Sequence, residues 1–253
     1  MALFTGNTVF RYESLPSTNV RAWELLADNP PEGTVILTRE QTAGRGQKGN
    51  TWQAVPGINL TFSVIYRPGF LDPRDLFALS KCACLAVRDV VATSVPGAEV
   101  LVKWPNDILV NRRKVAGILI ENQLAGARVQ AAVIGIGLNV NQTQFPPEIA
   151  DRATSLSLEA GRLMSLEAVL SQVLDRLEGY YIQLRQGQTA ALDQTYLAHL
   201  YGYQEEVSMT FGGARQHLRI LGTDRSGKLA ATDGRIVHYF DIKEVSLQVE
   251  PLE

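Results

Sequence analysis

The sequence predicts an α+β fold with a mixed, mainly antiparallel sheet, followed by a small all-β unit. Three observations predict it. β-branched runs follow one another with few helical patterns between them, which favours meandering strands over a parallel, doubly wound sheet. The 253 residues are 45% hydrophobic and 20% charged, the make-up of a globular chain with a sizeable core. From Gln204 onward helical periodicity gives way to short alternating segments between glycine turns. We therefore expect a first domain over 1–203 and a small barrel over 204–253 packed on it.

The elements follow in order. "TVFRYESLPSTN" opens as a strand and breaks at Pro16, after which Ser17 or Thr18 can cap a helix through Val20, Trp23 and Leu26. "GTVILTRE" is a β-branched strand; a glycine-rich loop follows, and "INLTFSVIY" is the next strand. Asp72-Pro73 reads as a cap and first position of a long helix reaching about Val95. "EVLVKWPNDILV" is strand, Pro-Asn break, strand; "NRRK" is a polar turn. "VAGILIEN" and "VQAAVIGIGLNVN" are two more strands around a Gly126 turn. Ser165 can cap a helix from Leu166 to about Leu184, and a second runs from about Ala190 to Leu200. In the tail, "VSMTF", "HLRIL", "KLAAT" and "IVHYF" alternate between turns at Gly212-Gly213, Gly227 and Asp233-Gly234.

Bulk charge narrows the function. A net charge of −2 lacks the basic excess of a general nucleic-acid binder, so any cationic site is local. Cys82 and Cys84 lie two apart in an apolar helical run and point to different faces, so they read as core thiols of a reducing compartment. With three scattered histidines they form no zinc set, and the metal ligands stay unassigned. No secretory leader and no run of about 20 apolar residues is present, so a soluble cytoplasmic protein is expected.

The loop "TAGRGQKGNTW" holds Gly44, Gly46 and Gly49 in G-x-G-x-x-G spacing. A dinucleotide loop must open a helix, because the pyrophosphate rests on the helix N-terminus, and needs an acid about 20 residues on. Here Pro56 and Gly57 lead into a strand, and the nearest acid, Asp72, already serves as a cap. Two readings remain: a charged surface loop, or an anion site in which Arg45 and Lys48 stand beside closely approaching N–H groups. Trp52, a large aromatic in a polar loop, favours the second. Lys103 within "VLVKWPND" is either an edge-strand lysine or a cation awaiting an anion. Gly135 and Gly137 weaken their strand unless something lies close to its backbone. Asn139 reads equally as a strand-end turn residue, and Lys114 as a solvated turn charge. No Ser-His-Asp set or other nucleophile appears; cations, amides, glycines and tryptophans suit nucleotidyl transfer to a substrate carboxylate, which needs positioning and charge stabilisation only.

"STN" at 17–19, "QTAGRGQKGNTW" from Gln41, "KWPNDILV" from Lys103, "KVAGILIE" from Lys114 and "IGIGLNVN" from Ile134 occur in this order. Together they resemble the biotin protein ligase, or biotin–[acetyl-CoA-carboxylase] ligase, family over nearly the whole chain. The resemblance implies a catalytic domain like that of class II aminoacyl-tRNA synthetases and an SH3-like C-terminal barrel. It implies that biotin and Mg-ATP give biotinyl-5′-AMP, which biotinylates a lysine of the biotin carboxyl carrier protein of acetyl-CoA carboxylase. Ser17, Thr18, Asn19 and Gln41 then hold the ureido end of biotin. Gly44, Arg45, Gly46 and Gln47 wrap its carboxylate and the adenylate, and Gly117, Gly135 and Gly137 let backbone line the pocket. Lys103 is the catalytic cation with Arg45, while Lys48, Asn50, Trp52, Asn106 and Asn139 serve ATP. Lipoate ligases and octanoyl transferases share the fold, and a non-catalytic binding module is the alternative of another class. Gln47 and Asn50 stand where the family commonly has arginines, which implies looser adenylate retention. Sixteen residues precede the STN motif, too few for a helix-turn-helix domain, so no DNA binding and no membrane partner are expected. Strands near "LVNRRKVAGILIE" can pair in a homodimer.

Overall fold

A computed structural model describes residues 2–126 and 128–250, without the side chain of Lys48. Its main sheet has seven strands: β1 (Val9–Leu15), β2 (Val35–Gln41), β3 (Leu60–Tyr66), β4 (Val100–Lys103), β5 (Asp107–Val110), β6 (Arg113–Ala125) and β7 (Arg128–Leu138). Their order is β1-β2-β3-β7-β6-β5-β4. β1 and β2 are parallel because helix α1 (Thr18–Leu25) crosses between them; the other pairs are antiparallel. The expected mixed, mainly antiparallel α+β sheet is therefore present.

Both faces are covered. Helices α2 (Phe77–Ser94) and α4 (Leu166–Arg185) pack together over one face, with α5 (Thr189–Ala198) beside them. Leu79, Leu85, Leu177 and Tyr181 join Phe62, Val64 and Ile134 there. On the other face α1 buries Ala22 and Leu25 against Ile36, Ile65 and Val133. Central β3 is buried along its whole length, which explains its unbroken apolar run.

The face under α1 positions the cleft. Alternation puts Thr61, Ser63, Gly135 and Gly137 on the same side as Ile65 and Val133. α1 starts at Thr18, so beyond it this floor carries only small or absent side chains. Gly117 lies opposite Gly137, and Gly137 opposite Thr61, so the bare strip crosses three strands.

Residues 206–247 form a second, antiparallel sheet of β8 (Glu206–Phe211), β9 (Ala214–Thr223), β10 (Leu229–Thr232), β11 (Val237–Phe240) and β12 (Ser246–Leu247). Its order, β11-β10-β9-β8-β12, is open: among the described residues no pairing joins β11 to β12, so the expected barrel is not closed by a strand ladder. The indole N–H of buried Trp104 donates to Gly227 O at 2.9 Å and ties this sheet to the β4–β5 hairpin.

Three local expectations shift. Asp72 caps only a single 3₁₀ turn, Pro73–Asp75, and α2 begins at Phe77. α3 (Leu156–Ala160), capped by Ser155, gave no periodic signal because it is too short to show one. Ser17 is the N-cap of α1, but its hydroxyl makes no capping bond. Cys82 and Cys84 are buried free thiols, and no described helix is long and apolar enough to cross a membrane.

Candidate functional site

One cleft of about 540 Å³ collects residues from both ends of the chain. At one end lie Ser17, Thr18 and Asn19 at the start of α1, with Gln41 at the end of β2. Gln41 Oε1 accepts the Thr18 N–H at 2.8 Å and also lies 3.2 Å from the Thr18 hydroxyl. The Ser63 hydroxyl lies 2.7 Å from Asn19 Oδ1 and 2.8 Å from Thr18 Oγ1. This end is a small, buried, polar cup.

The glycine loop forms the wall. It folds back on itself: Gly46 N–H donates to Asn50 O at 2.7 Å, Trp52 N–H to Gly44 O at 3.1 Å, and Arg45 bridges Thr51. Its turn is the 3₁₀ segment Gln47–Gly49, with Gly49 at φ +89°, a conformation glycine adopts without steric cost. The fold-back lays the Trp52 indole across the floor. A Cβ on Gly137 would stand 2.3 Å from the ring, and one on Gly135 would stand 2.3 Å from Asn19 Oδ1. These two strand glycines are thus places where side chains rest on bare backbone. Trp52 Nε1 is buried against the backbone of Gly137 with no hydrogen-bond partner.

The other end is cationic. Lys103 ends β4 opposite Asp107, the first residue of β5. Burial lowers the Lys103 pKa; Asp107 opposes this, and Lys114 and Arg152 add to it. Lys103 has no ion-pair partner among the described residues. Lys114 Nζ lies 2.6 Å from Asp107 Oδ1 and 5.9 Å from the Trp52 ring centre. Asp107 is thereby ion-paired with Lys114. Asn106 Nδ2 donates to Ile118 O at 2.6 Å and fixes the hairpin tip. Thr210, Ile242, Lys243, Val245 and Leu247 close this end from the second sheet.

The structure brings Ser17, Thr18, Asn19, Gln41, Arg45, Gly46, Gln47, Asn50, Trp52, Lys103, Asn106, Gly117, Gly135 and Gly137 to the cleft. Gly44 is not on its lining; it is buried behind the Trp52 backbone. Asn139 is not brought there either. It is 5% exposed, donates through Nδ2 to Thr154 O, and holds Val115 O through its N–H. The side chain of Lys48 falls outside the described residues. Sequence reasoning missed Lys114 and the 242–247 segment. "NRRK" looks like a solvated turn, but the register shift between β5 and β6 turns Lys114 back toward Asp107.

Fold and cleft together define an α+β protein with a cleft that is small and polar at one end and cationic at the other. Residues 12–139 match the biotin/lipoate A/B protein ligase family, and the chain belongs to it. It is 33% identical over 219 residues to the biotin–[acetyl-CoA-carboxylase] ligase of Paracoccus denitrificans, covering 84% of this chain and 89% of that protein. It is 38% identical over 178 residues to the bifunctional ligase/repressor BirA of Bacillus subtilis, covering 70% of this chain but only 54% of that protein. The chain thus spans about half the length of that relative. Among solved structures, the biotin protein ligase from Aquifex aeolicus in complex with biotin and ATP superposes with a TM-score of 0.80 at 26% identity, covering 96% of this chain and 100% of that one.

Proposed function

We propose that this protein is a biotin–[acetyl-CoA-carboxylase] ligase. It joins biotin to ATP as biotinyl-5′-AMP and passes the biotinyl group to a lysine of a biotin carboxyl carrier protein. The observation that carries the reading is the joining of a small-polar cup and a cationic end in one cleft of ligand size. The cup suits a cyclic urea, which offers two N–H donors and one carbonyl acceptor. The cationic end suits a carboxylate and a phosphate held side by side.

The residues then act as follows. Ser17, Thr18, Asn19 and Gln41 bind the ureido ring. Trp52 lies along the ligand. Lys103 and Lys114 draw the biotin carboxylate and the α-phosphate together and offset their repulsion. The carboxylate oxygen attacks the α-phosphorus, and pyrophosphate leaves with the electron pair of the broken P–O bond. In the second step the carrier amine attacks the acyl carbon and AMP departs. No enzymic nucleophile is needed. The chemistry a Mg²⁺ ion would supply, on arriving with ATP, is neutralisation of phosphate charge. The described residues hold no cluster of three acidic, His or Cys ligands. Asp107, the one acid among the described residues on the cleft lining, would share the ion with ATP phosphates on leaving its ion pair with Lys114.

We extend the reading to the architecture: a class II synthetase-like catalytic domain over 1–203 and an SH3-like unit over 204–253, placed to cap the phosphate end. The open five-strand order and the cleft-lining 242–247 segment support this. The same reading makes the protein cytoplasmic. Incubation with ATP, carrier domain and either biotin or lipoate tests it, with Lys103→Ala as control. Label from biotin alone, lost in the variant, is expected. Label from lipoate alone, or binding of biotin without adenylate, overturns it.

A further inference from the structure

We propose that Glu121 is a positioning residue that sets ligand specificity by fixing which end of the Asn19 amide meets the ligand. Glu121 lies in β6, outside the residues lining the cleft. Its Oε2 accepts from Asn19 Nδ2 at 2.9 Å and from Trp23 Nε1 at 3.1 Å, and its Oε1 lies 3.4 Å from the Arg45 guanidinium.

An asparagine amide presents a donor or an acceptor depending on a half-turn about its last bond. A carboxylate only accepts, so the Asn19 NH₂ must face Glu121. Leu119 O, 3.3 Å from Nδ2, takes the second amide hydrogen. Both donors are thereby used inside the protein. Asn19 Oδ1 then rests over Gly135 on the cleft floor, held by one hydrogen bond from Ser63. An amide oxygen has two lone pairs, so one stays available, and Asn19 offers the cleft an acceptor and never a donor. The indole of Trp23 pins Glu121 itself, since its N–H leaves the carboxylate no freedom to turn away. The ligand atom selected is therefore an N–H, such as a ring N–H of a cyclic urea. Part of this rests on the function proposed above, because biotin supplies that group.

The test is biotin binding by calorimetry on the full chain, set against an analogue methylated on the ureido nitrogen that contacts Asn19; both methyl isomers are run. Glu121→Met removes the acceptor and frees the amide to turn. It is expected to weaken biotin about tenfold and to erase the preference over the methylated analogue. Glu121→Gln keeps an oxygen toward the two donors Asn19 and Trp23, and gives up only Arg45. It is expected to bind biotin within about twofold of the parent with the preference intact. Ser63→Ala, which loosens the other side of the same amide, is expected to narrow the preference and serves if Glu121→Met does not fold. A Glu121→Gln loss equal to that of Glu121→Met assigns the effect to charge and overturns the inference. So does a preserved preference in Glu121→Met or Ser63→Ala. Failure of the parent to bind biotin at all overturns the proposed function instead, and this inference with it.

Discussion

Gly137→Ala should disable the site while leaving the protein folded. The added Cβ would stand 2.3, 2.5 and 2.6 Å from Cε2, Cζ2 and Nε1 of Trp52. Carbon contacts settle at about 3.5–4.0 Å, so the indole must retreat by about 1 Å. β7 is buried and paired on both sides, so the strand will not move; the half-exposed loop will. The stability cost is then near the low end of overpacking, about 1 kcal/mol, or about 2–4 °C in Tm. The functional cost is larger, because a displacement of about 1 Å at a positioning surface can lower the rate about 10²-fold. The assay is biotin-dependent pyrophosphate release, paired with the emission of Trp52 taken as the difference from a Trp52→Phe variant. A kcat/KM within about twofold of the parent, with Trp52 emission unmoved, would refute the seating of Trp52 on Gly137.

Other predictions follow from the same geometry. Lys103→Met should cut adenylate formation by about 10²–10³-fold and yet raise Tm. Burial has lowered the Lys103 pKa below the ordinary 10.5, so the unfolded chain binds that proton more tightly than the native one. For the parent, this makes the Lys103 contribution to stability rise with pH between the lowered value and 10.5, while activity falls over the same window. Activity and stability moving together there would contradict it. Trp104→Phe leaves Gly227 O without its donor and should cost about 1–3 kcal/mol, read as Tm; a raised KM for ATP should accompany it, because the second sheet supplies part of the cleft. Gln47→Arg adds a forked donor to the cleft wall and should slow release of biotinyl-AMP about tenfold. An unchanged off-rate would separate retention from the charge at position 47.

What was legible in the sequence was whatever depends on neighbours along the chain. β3 and β7 announced themselves by β-branched runs, and α4 by its Ser165 cap and apolar period. The polar cup was legible only through the resemblance that contiguous Ser17, Thr18 and Asn19 carry; by local pattern Ser17 and Thr18 read as helix caps. What stayed hidden depends on register and on distant contacts. Lys114 sits in a polar turn by sequence and enters the cleft only through the β5–β6 irregularity. Lys243 and Leu247 line a cleft whose loop lies some two hundred residues earlier, a proximity no window can show. Asn139 differs in the opposite sense: an amide at a strand end looks available, but this one is buried, with Nδ2 donating to Thr154 O and the backbone N–H to Val115 O.

The glycine loop shows why spacing alone misleads. In a dinucleotide fold the three glycines bring backbone to a pyrophosphate and then start a helix. Here each serves the fold-back instead. Gly44 leaves room for the Trp52 carbonyl, which would lie 2.2 Å from a Cβ; Gly46 pairs with Asn50; Gly49 makes the turn. The loop closes on itself and needs no helix behind it. Its tryptophan reaches the sheet only because β7 has a glycine exactly where the ring lands, and β6 has Gly117 opposite that one. Glycines in the loop and glycines in the floor are thus two halves of one fit, separated by some ninety residues. Filling the floor should disable the site as surely as removing a cation, although Gly137 carries no chemistry of its own.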